Sequence, residues 1–401
     1  MSPLERQLQD EWGRLMALLV AQFRRLDLAE DALGDAFEAA ARTWPVDGAP
    51  ANPPAWLLVA ARRRILDRLR SEAVASRRLP LLAVEAELTE EARRTMVDVG
   101  EEVVDERLRL VLLAAHPSLS RENAAALTLR LVLGVSTADI AQLFLVSTPT
   151  MAARLTRARQ SLAGARFEVP SGPELEERLA VVAEVAYLAF TAGYAPPSGE
   201  EVLLADLTAE AIRLVRLVRA LAPGHVDLDA LLALMLLQHS RRDARVHDGE
   251  LVLLPDQDRS RWHVDEIDEA IGLLTPHVTA PGTPWLLQAL IAAEHAIARR
   301  ARDTDWGRVV RHYDELLALV DSPVVRLNRA IAVAEADGPL AGLALLDGLV
   351  VPGHRLPAAR AELAARASLA DLARSSYDEA LGLCLNAAER RHLERRRAEL
   401  G

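Results

Sequence analysis

The sequence predicts an all-α protein. Ala, Leu, Arg and Glu dominate it, lysine is absent and aromatic residues make up 4%, a composition that favours helices over sheets. Apolar residues recur at helical spacing along most of the chain, and the breaks fall at Pro and Gly. With 401 residues the chain suits two or three domains, each able to bury its own core.

The first element is expected over residues 28 to 44. There Leu33, Ala36, Phe37, Ala40 and Trp44 share one side and Asp31, Asp35 and Glu38 the other, which gives an amphipathic helix with an acidic outer face. From Pro45 to Pro54 four prolines make a helix untenable, so this stretch is predicted as a stiff, shaped loop. A second helix follows from about Ala55 to Ser71, with Leu58, Ala61, Ile65 and Leu69 on the buried stripe and Trp56, Arg63, Asp67 and Arg70 opposite.

Net charge is −11, but it is unevenly spread: residues 1–170 hold 22 Arg against 23 acids, and the remainder 25 against 35. Seven Arg lie between Arg62 and Arg78, nine acids between Glu85 and Glu106, and Arg154, Arg157, Arg159 and Arg166 cluster without an acid. Salt screens each charge within about 8 Å, so local patches rather than the total decide whether phosphates are attracted. Two basic islands flanking an acidic bridge permit two DNA contacts; solvated helix faces and a neutral tether are the plainer alternatives.

The clearest local signal runs from Val135 to Met151. Ser136 with Asp139 reads as a capping box opening one short helix, and Ser147 with Pro149 opens a second. The tight connection fits a helix-turn-helix, although any helical hairpin shares that outline. In the second helix Met151, Leu155, Ala158 and Leu162 share one face, whereas Pro149, Ala153, Thr156, Arg157 and Gln160 lie on the other. Small and hydrogen-bonding side chains beside an arginine suit a major groove.

After Pro170 helical patterns continue, interrupted at Pro196-Pro197, Pro223-Gly224, Pro255, Pro276 and Pro281-Gly282. A unit then recurs three times: Trp306 leading to Tyr313-Asp314, Pro339 to Leu346-Asp347, and Leu372 to Tyr377-Asp378, with 33 and 31 residues between the aspartates. This approaches the ~34-residue period of tetratricopeptide repeats and predicts a short helical solenoid. Asp256 to Trp262 reads as a turn packed by Trp262 and capping the next helix.

Cys384 is the only cysteine, so no disulfide framework or cysteine-rich zinc site is expected, and the compartment is a reducing one, the cytoplasm. No apolar run reaches the roughly 18 to 20 residues of a membrane span, and Met1 to Arg6 lack the pattern of an export signal. Without a His-Glu-x-x-His motif, a phosphate-binding glycine loop or a strand to carry a nucleophile elbow, no catalytic residue, cofactor or metal is expected, and the chain reads as a non-enzyme.

Taken in order, Ala29 to Phe37 with Trp56-Leu57, Ala61-Arg62, Leu66-Asp67 and Leu69-Arg70 resemble region 2 of the extracytoplasmic-function sigma factors. Thr137 to Leu143 joined to Thr150 to Arg159 resemble their region 4. The remainder is similar to a subgroup with a tetratricopeptide-like extension, which also shares Leu110 to Leu119 and Asp256 to Trp262. The resemblance implies region 2 over 1–78, an acidic linker over 79–104, region 4 over 105–166, a helical extension over 170–285 and repeats over 286–401.

It implies, further, that Asp31, Leu33, Asp35 and Phe37 dock on the β′ coiled coil of core RNA polymerase. Asp47, Asn52, Trp56, Arg62, Arg63 and Arg64 would hold −10 DNA, with a flipped base in the Pro-rich loop. Region 4 would sit on the β-flap and present Thr148, Ala152, Ala153, Arg154, Thr156 and Arg157 to the −35 element. The sequence departs from the family at Arg63, where Asn is frequent, and at Thr191-Ala192, where the subgroup has Asn-Glu. The C-terminal domain would contact a protein partner or the sigma core itself. A one-component operator-binding regulator is the alternative; it leaves the first basic island unexplained.

Overall fold

A computed structural model describes residues 3–75, 101–144, 146–162, 164–194, 205–247 and 250–400. Among them the fold is helical, with one two-stranded hairpin, Val246–His247 paired antiparallel to Glu250–Leu251. Most of the expected acidic linker, and Arg77 and Arg78 before it, lie outside the described residues. The chain divides into two compact units, 1–185 and 186–401.

The N-terminal unit starts with α1 (Pro3–Phe23), α2 (Leu26–Asp47) and α3 (Pro53–Ala75), which pack on one another. Leu15, Leu19, Leu33, Leu57, Leu58 and Ile65 are fully buried at their junction. Helix α2 runs three residues further than expected because Pro45 lies in its last turn. One lost intrahelical bond there costs less than in mid-helix, and the Gly48 N–H closes the end on the Trp44 carbonyl at 3.0 Å.

The same unit continues with α4 (Glu101–Ala114), α5 (Arg121–Leu131), α6 (Thr137–Leu143) and α7 (Thr148–Ser161). Ser120, Ser136 and Ser147 cap the last three, each accepting the N–H three residues on. Gly134, at φ +67°, and the cap at Ser136 make the tight entry to α6. The first half of α8 (Pro173–Tyr194) belongs to this unit: Leu179, Val182 and Ala183 are buried, and Arg178 donates to the Leu112 carbonyl at 3.1 Å.

The C-terminal unit takes in the end of α8, α9 (Ala205–Arg219), α10 (Val226–His239), α11 (Val264–Leu274) and α12 (Pro284–Ile297). Helix α10 is apolar on all sides, with Leu228 and Ala230 to Leu237 at most 2% exposed; it is the axis against which α9, α11 and α12 pack. Then come α13 (Trp306–Leu319), α14 (Pro323–Asp337), α15 (Pro339–Leu345), α16 (Arg355–Arg366), α17 (Ala370–Leu383) and α18 (Ala387–Ala398), each packed on the next. The three sequence copies fall on α13, α15 with its C-terminal turn, and α17, the first members of three helix pairs. Gly342 lets α15 approach α14: a Cβ there would lie 2.5 Å from that of Ala334. Helix α18 returns to the hairpin, where Arg391 and Arg395 pair with Glu250. No helix among the described residues is long and apolar enough to cross a membrane.

Candidate polymerase and promoter interface

On α2, Asp31 is exposed, and Asp35, half-exposed, is paired with Arg64 of α3 at 2.9 Å. Phe37 packs its ring 5.4 Å from that of Trp12. Leu33 does not belong with them: it is 0% exposed and part of the core. Positions two apart point to nearly opposite sides of a helix, so a face containing Asp31 and Asp35 turns Leu33 inward.

The loop between α2 and α3 is residues 48–52, exposed but for Ala49–Ala51's partly shielded centre at Pro50. Asp47, the last residue of α2, is exposed beside it. The Asn52 side chain is engaged as a helix cap, its Oδ1 accepting the Ala55 N–H at 3.1 Å. Trp56 is half-buried, edge-on to Trp44 with centroids 5.4 Å apart. Arg63 and Arg64 are exposed on α3, but Arg62 is only 7% exposed. The expected row of three strand-holding arginines is therefore reduced to two: Arg62 lies one turn after Leu58, beside the buried stripe.

The helix-turn-helix turns Met151, Leu155 and Ala158 of α7 inward and leaves Thr148, Ala152, Ala153, Thr156 and Arg157 exposed. Thr156 donates to the Ala152 carbonyl at 3.0 Å and Arg157 Nε to that of Ala153 at 3.3 Å. Arg154 is half-buried, its guanidinium 5.6 Å from the Phe144 ring centroid.

One buried carboxylate ties these two surfaces together. Glu30 of α2 is 6% exposed; it accepts Arg130 Nε of α5 at 2.7 Å and pairs with Arg159 of α7 at 2.9 Å. The second contact is an ion pair without hydrogen-bond alignment. Arg130 also lies 5.0 Å from the Trp12 ring centroid. Beside it, a Cβ on Gly13 of α1 would sit 2.2 Å from the Val132 carbonyl oxygen, so the contact requires glycine. Arg24 completes the seam by donating to the Phe167 carbonyl at 3.3 Å.

The description "Sigma-70 region 2" matches residues 11–74 and "Sigma-70, region 4" matches residues 109–162. The chain belongs to the sigma-70 family. Residues 178–278 match a "Family of unknown function (DUF6596)". An uncharacterized protein of Rhizobium meliloti (strain 1021) is 40% identical over 386 residues, covering 93% of this chain and 90% of the relative. No solved structure matches.

As a sigma-70 factor the protein binds core RNA polymerase and promoter DNA and acts in transcription initiation without being an enzyme. Glu30, Arg130 and Gly13 were not among the expected site residues, and Arg159 was read only as one of a cluster of arginines. Their partners are about a hundred positions away, beyond the reach of local pattern. In the extension of this sigma factor, Asp258 accepts the Ser260 N–H at 2.9 Å and Trp262 is 6% exposed. The Asp256 to Trp262 motif thus caps its own turn, whereas α11 has His263 at its N-cap position and no side-chain cap bond. His239 and His263 converge on Arg242, at 3.0 and 3.1 Å. His354, Cys384 and Glu389 place potential ligand atoms within 4.8 Å of one another. Each has a protein partner: His354 pairs with Glu389 at 3.0 Å, and Cys384 donates to the Asn386 carbonyl.

Proposed function

We propose that this sigma factor is of the extracytoplasmic-function type, works in the cytoplasm, and reads −10 DNA with region 2 and −35 DNA with α7, under control of a tetratricopeptide-like C-terminal domain. The observation that carries the mechanism is the Glu30 seam. The −10 and −35 elements lie about 85 Å apart along a duplex at about 3.4 Å per base pair. A compact unit of 185 residues has a radius of gyration of only about 16 Å. Regions 2 and 4 must therefore part for both elements to be held at once, and the seam between α2, α5 and α7 is the contact that opens on polymerase.

In this reading Asp31 and Asp35, with Phe37, dock on the β′ coiled coil, and region 4 docks on the β-flap. Loop 48–52, shaped by the Asn52 cap and bordered by Asp47 and Trp56, receives the flipped base. Extruding a base costs a few kcal/mol of stacking, which a preshaped pocket recovers more fully than a floppy loop. Arg63 and Arg64 hold the strand. On α7, Thr148, Ala152, Ala153, Thr156 and Arg157 approach base edges, and Arg154 stays near phosphates. The acidic linker threads the polymerase cleft.

A pull-down with core polymerase followed by run-off transcription on a promoter library tests the assignment. Tight, sequence-specific binding of duplex DNA without polymerase would instead identify an operator-binding regulator. The double change Asp31→Arg and Asp35→Arg is expected to impair holoenzyme assembly while leaving the fold intact, because the exposed Asp35–Arg64 pair contributes only about 0–1 kcal/mol. Normal assembly, measured by size-exclusion with core enzyme, would remove these residues from the docking face. Truncation after Val185, which keeps the half of α8 that packs in the N-terminal unit, is expected to change the level of transcription at a cognate promoter and leave element preference unchanged. Unaltered transcription would exclude control by the C-terminal domain.

A further inference from the structure

The C-terminal unit contains a cavity of about 420 Å³ between α10, α12, α13 and α14, lined by Tyr187, Arg241, Trp262, Gln288, His295 and Tyr313 among others. A second space of about 240 Å³ shares His295 and Tyr313 with it and is lined by Arg259. The larger volume lies within the range of small-molecule sites.

Among the described residues no carboxylate lines the larger cavity, into which Arg241 brings a positive charge. Arg259 lies 4.4 Å and Arg241 5.9 Å from the Trp262 ring centroid. Arg241 donates to the Tyr194 hydroxyl at 2.9 Å, and Arg259 to the carbonyls of His295 and Ala298 at 2.6 and 2.9 Å. Among the described residues neither guanidinium has a carboxylate within ion-pair distance; Asp303 acts on Arg259 only from further away. Glu335, which lines the smaller space, is paired with Arg366. Arg245, over the Tyr194 ring at 3.8 Å, adds a third positive charge.

Burial pushes the guanidinium of Arg241 down from its ordinary value, and burial together with Arg241 and Arg259 lowers His295 to about 4, so that this imidazole is neutral near pH 7. The Trp262 indole N–H is buried without an acceptor. An enclosed cation such as Arg241 without a counter-charge, and a donor without an acceptor, are costly unless something supplies both.

We propose that the larger cavity, together with the adjoining smaller space that shares His295 and Tyr313 with it, binds a small organic oxyanion, a carboxylate or phosphate on an aromatic or apolar body, with Arg241 as its principal charge partner, Arg259 of the smaller space as the second, and Tyr187, Trp262 and Tyr313 around the body. The planar guanidinium fork matches either headgroup. The site lies wholly within the C-terminal unit, so this inference stands apart from the promoter-reading assignment.

Calorimetric titration and thermal unfolding of the full chain with benzoate, phenyl phosphate and the neutral isostere benzamide, at constant ionic strength in sodium chloride, test it. At least one oxyanion is expected to bind and raise the unfolding midpoint while benzamide does neither. Whichever binds more tightly identifies the headgroup as carboxylate or phosphate. Arg241→Met and Arg259→Gln are each expected to weaken binding by about tenfold or more with helical content preserved. Should a variant misfold, the contrast between oxyanion and benzamide on the unaltered chain decides. Equal responses to oxyanion, benzamide and chloride, or unchanged affinity in both folded variants, would overturn the proposal.

Discussion

Glu30→Ala is expected to destabilise the N-terminal unit by about 3 kcal/mol, at the lower end of what removing one partner of a buried ion pair costs. The carboxylate is buried, and its loss leaves Arg130 and Arg159, each about 20% exposed, without their counter-charge. Partial hydration of these guanidiniums keeps the loss from being larger. Chemical denaturation of the full chain, followed by signals from each unit, should show the N-terminal transition moving and the C-terminal one unmoved. On the proposed reading, in which the two surfaces joined by the seam separate on polymerase, the same change is expected to favour core-polymerase binding by raising the fraction of chains already open. Gly13→Ala separates the two effects: its Cβ meets the Val132 carbonyl at the seam and leaves the Glu30 charge cluster in place. Tighter polymerase binding by both variants supports a seam that opens; unaltered binding by both would count against it.

Arg157→Ala is expected to weaken −35-dependent initiation by about 1–3 kcal/mol, roughly 5- to 150-fold, if its guanidinium reaches a base edge. Arg157 is exposed on α7 and its guanidinium donates from Nε to the Ala153 carbonyl, an arrangement in which the outer nitrogens can face DNA. Its neighbours Ala152 and Ala153 are small, so the helix can approach the groove closely. Run-off transcription across −35 variants distinguishes two kinds of contact. Loss concentrated at one position marks base readout, whereas uniform loss with a shallower salt dependence marks a phosphate contact.

Much of the helical frame was legible because its signals are local. Ser136 and Ser147 announce the ends of α6 and α7, and the 33- and 31-residue spacings mark the first helices of three pairs. The end of α2 was misplaced because proline was treated as a barrier wherever it stands, yet Pro45 in a last turn forfeits little. The family resemblance placed Leu33 and Arg62 on binding surfaces, although the helical periodicity already put Leu33 on the apolar side, and the structure has one in the core and the other beside it. The Glu30 cluster was invisible for a different reason. It joins residues 100 and 129 positions apart, and its formation depends on how two domains pack rather than on any local pattern. The oxyanion cavity is likewise assembled from several helices and turns; Trp262 and Tyr313 stood out in the sequence, but as packing and repeat positions rather than as parts of one site.

The central claim is that regions 2 and 4 are closed on one another in the free protein and part on polymerase. Energy transfer between dyes at Arg42→Cys on α2 and Gln160→Cys on α7, both exposed positions, in a Cys384→Ala background measures this directly. High transfer in the free chain that falls when core polymerase is added is the predicted result. Transfer that stays high in a transcriptionally active holoenzyme would contradict it.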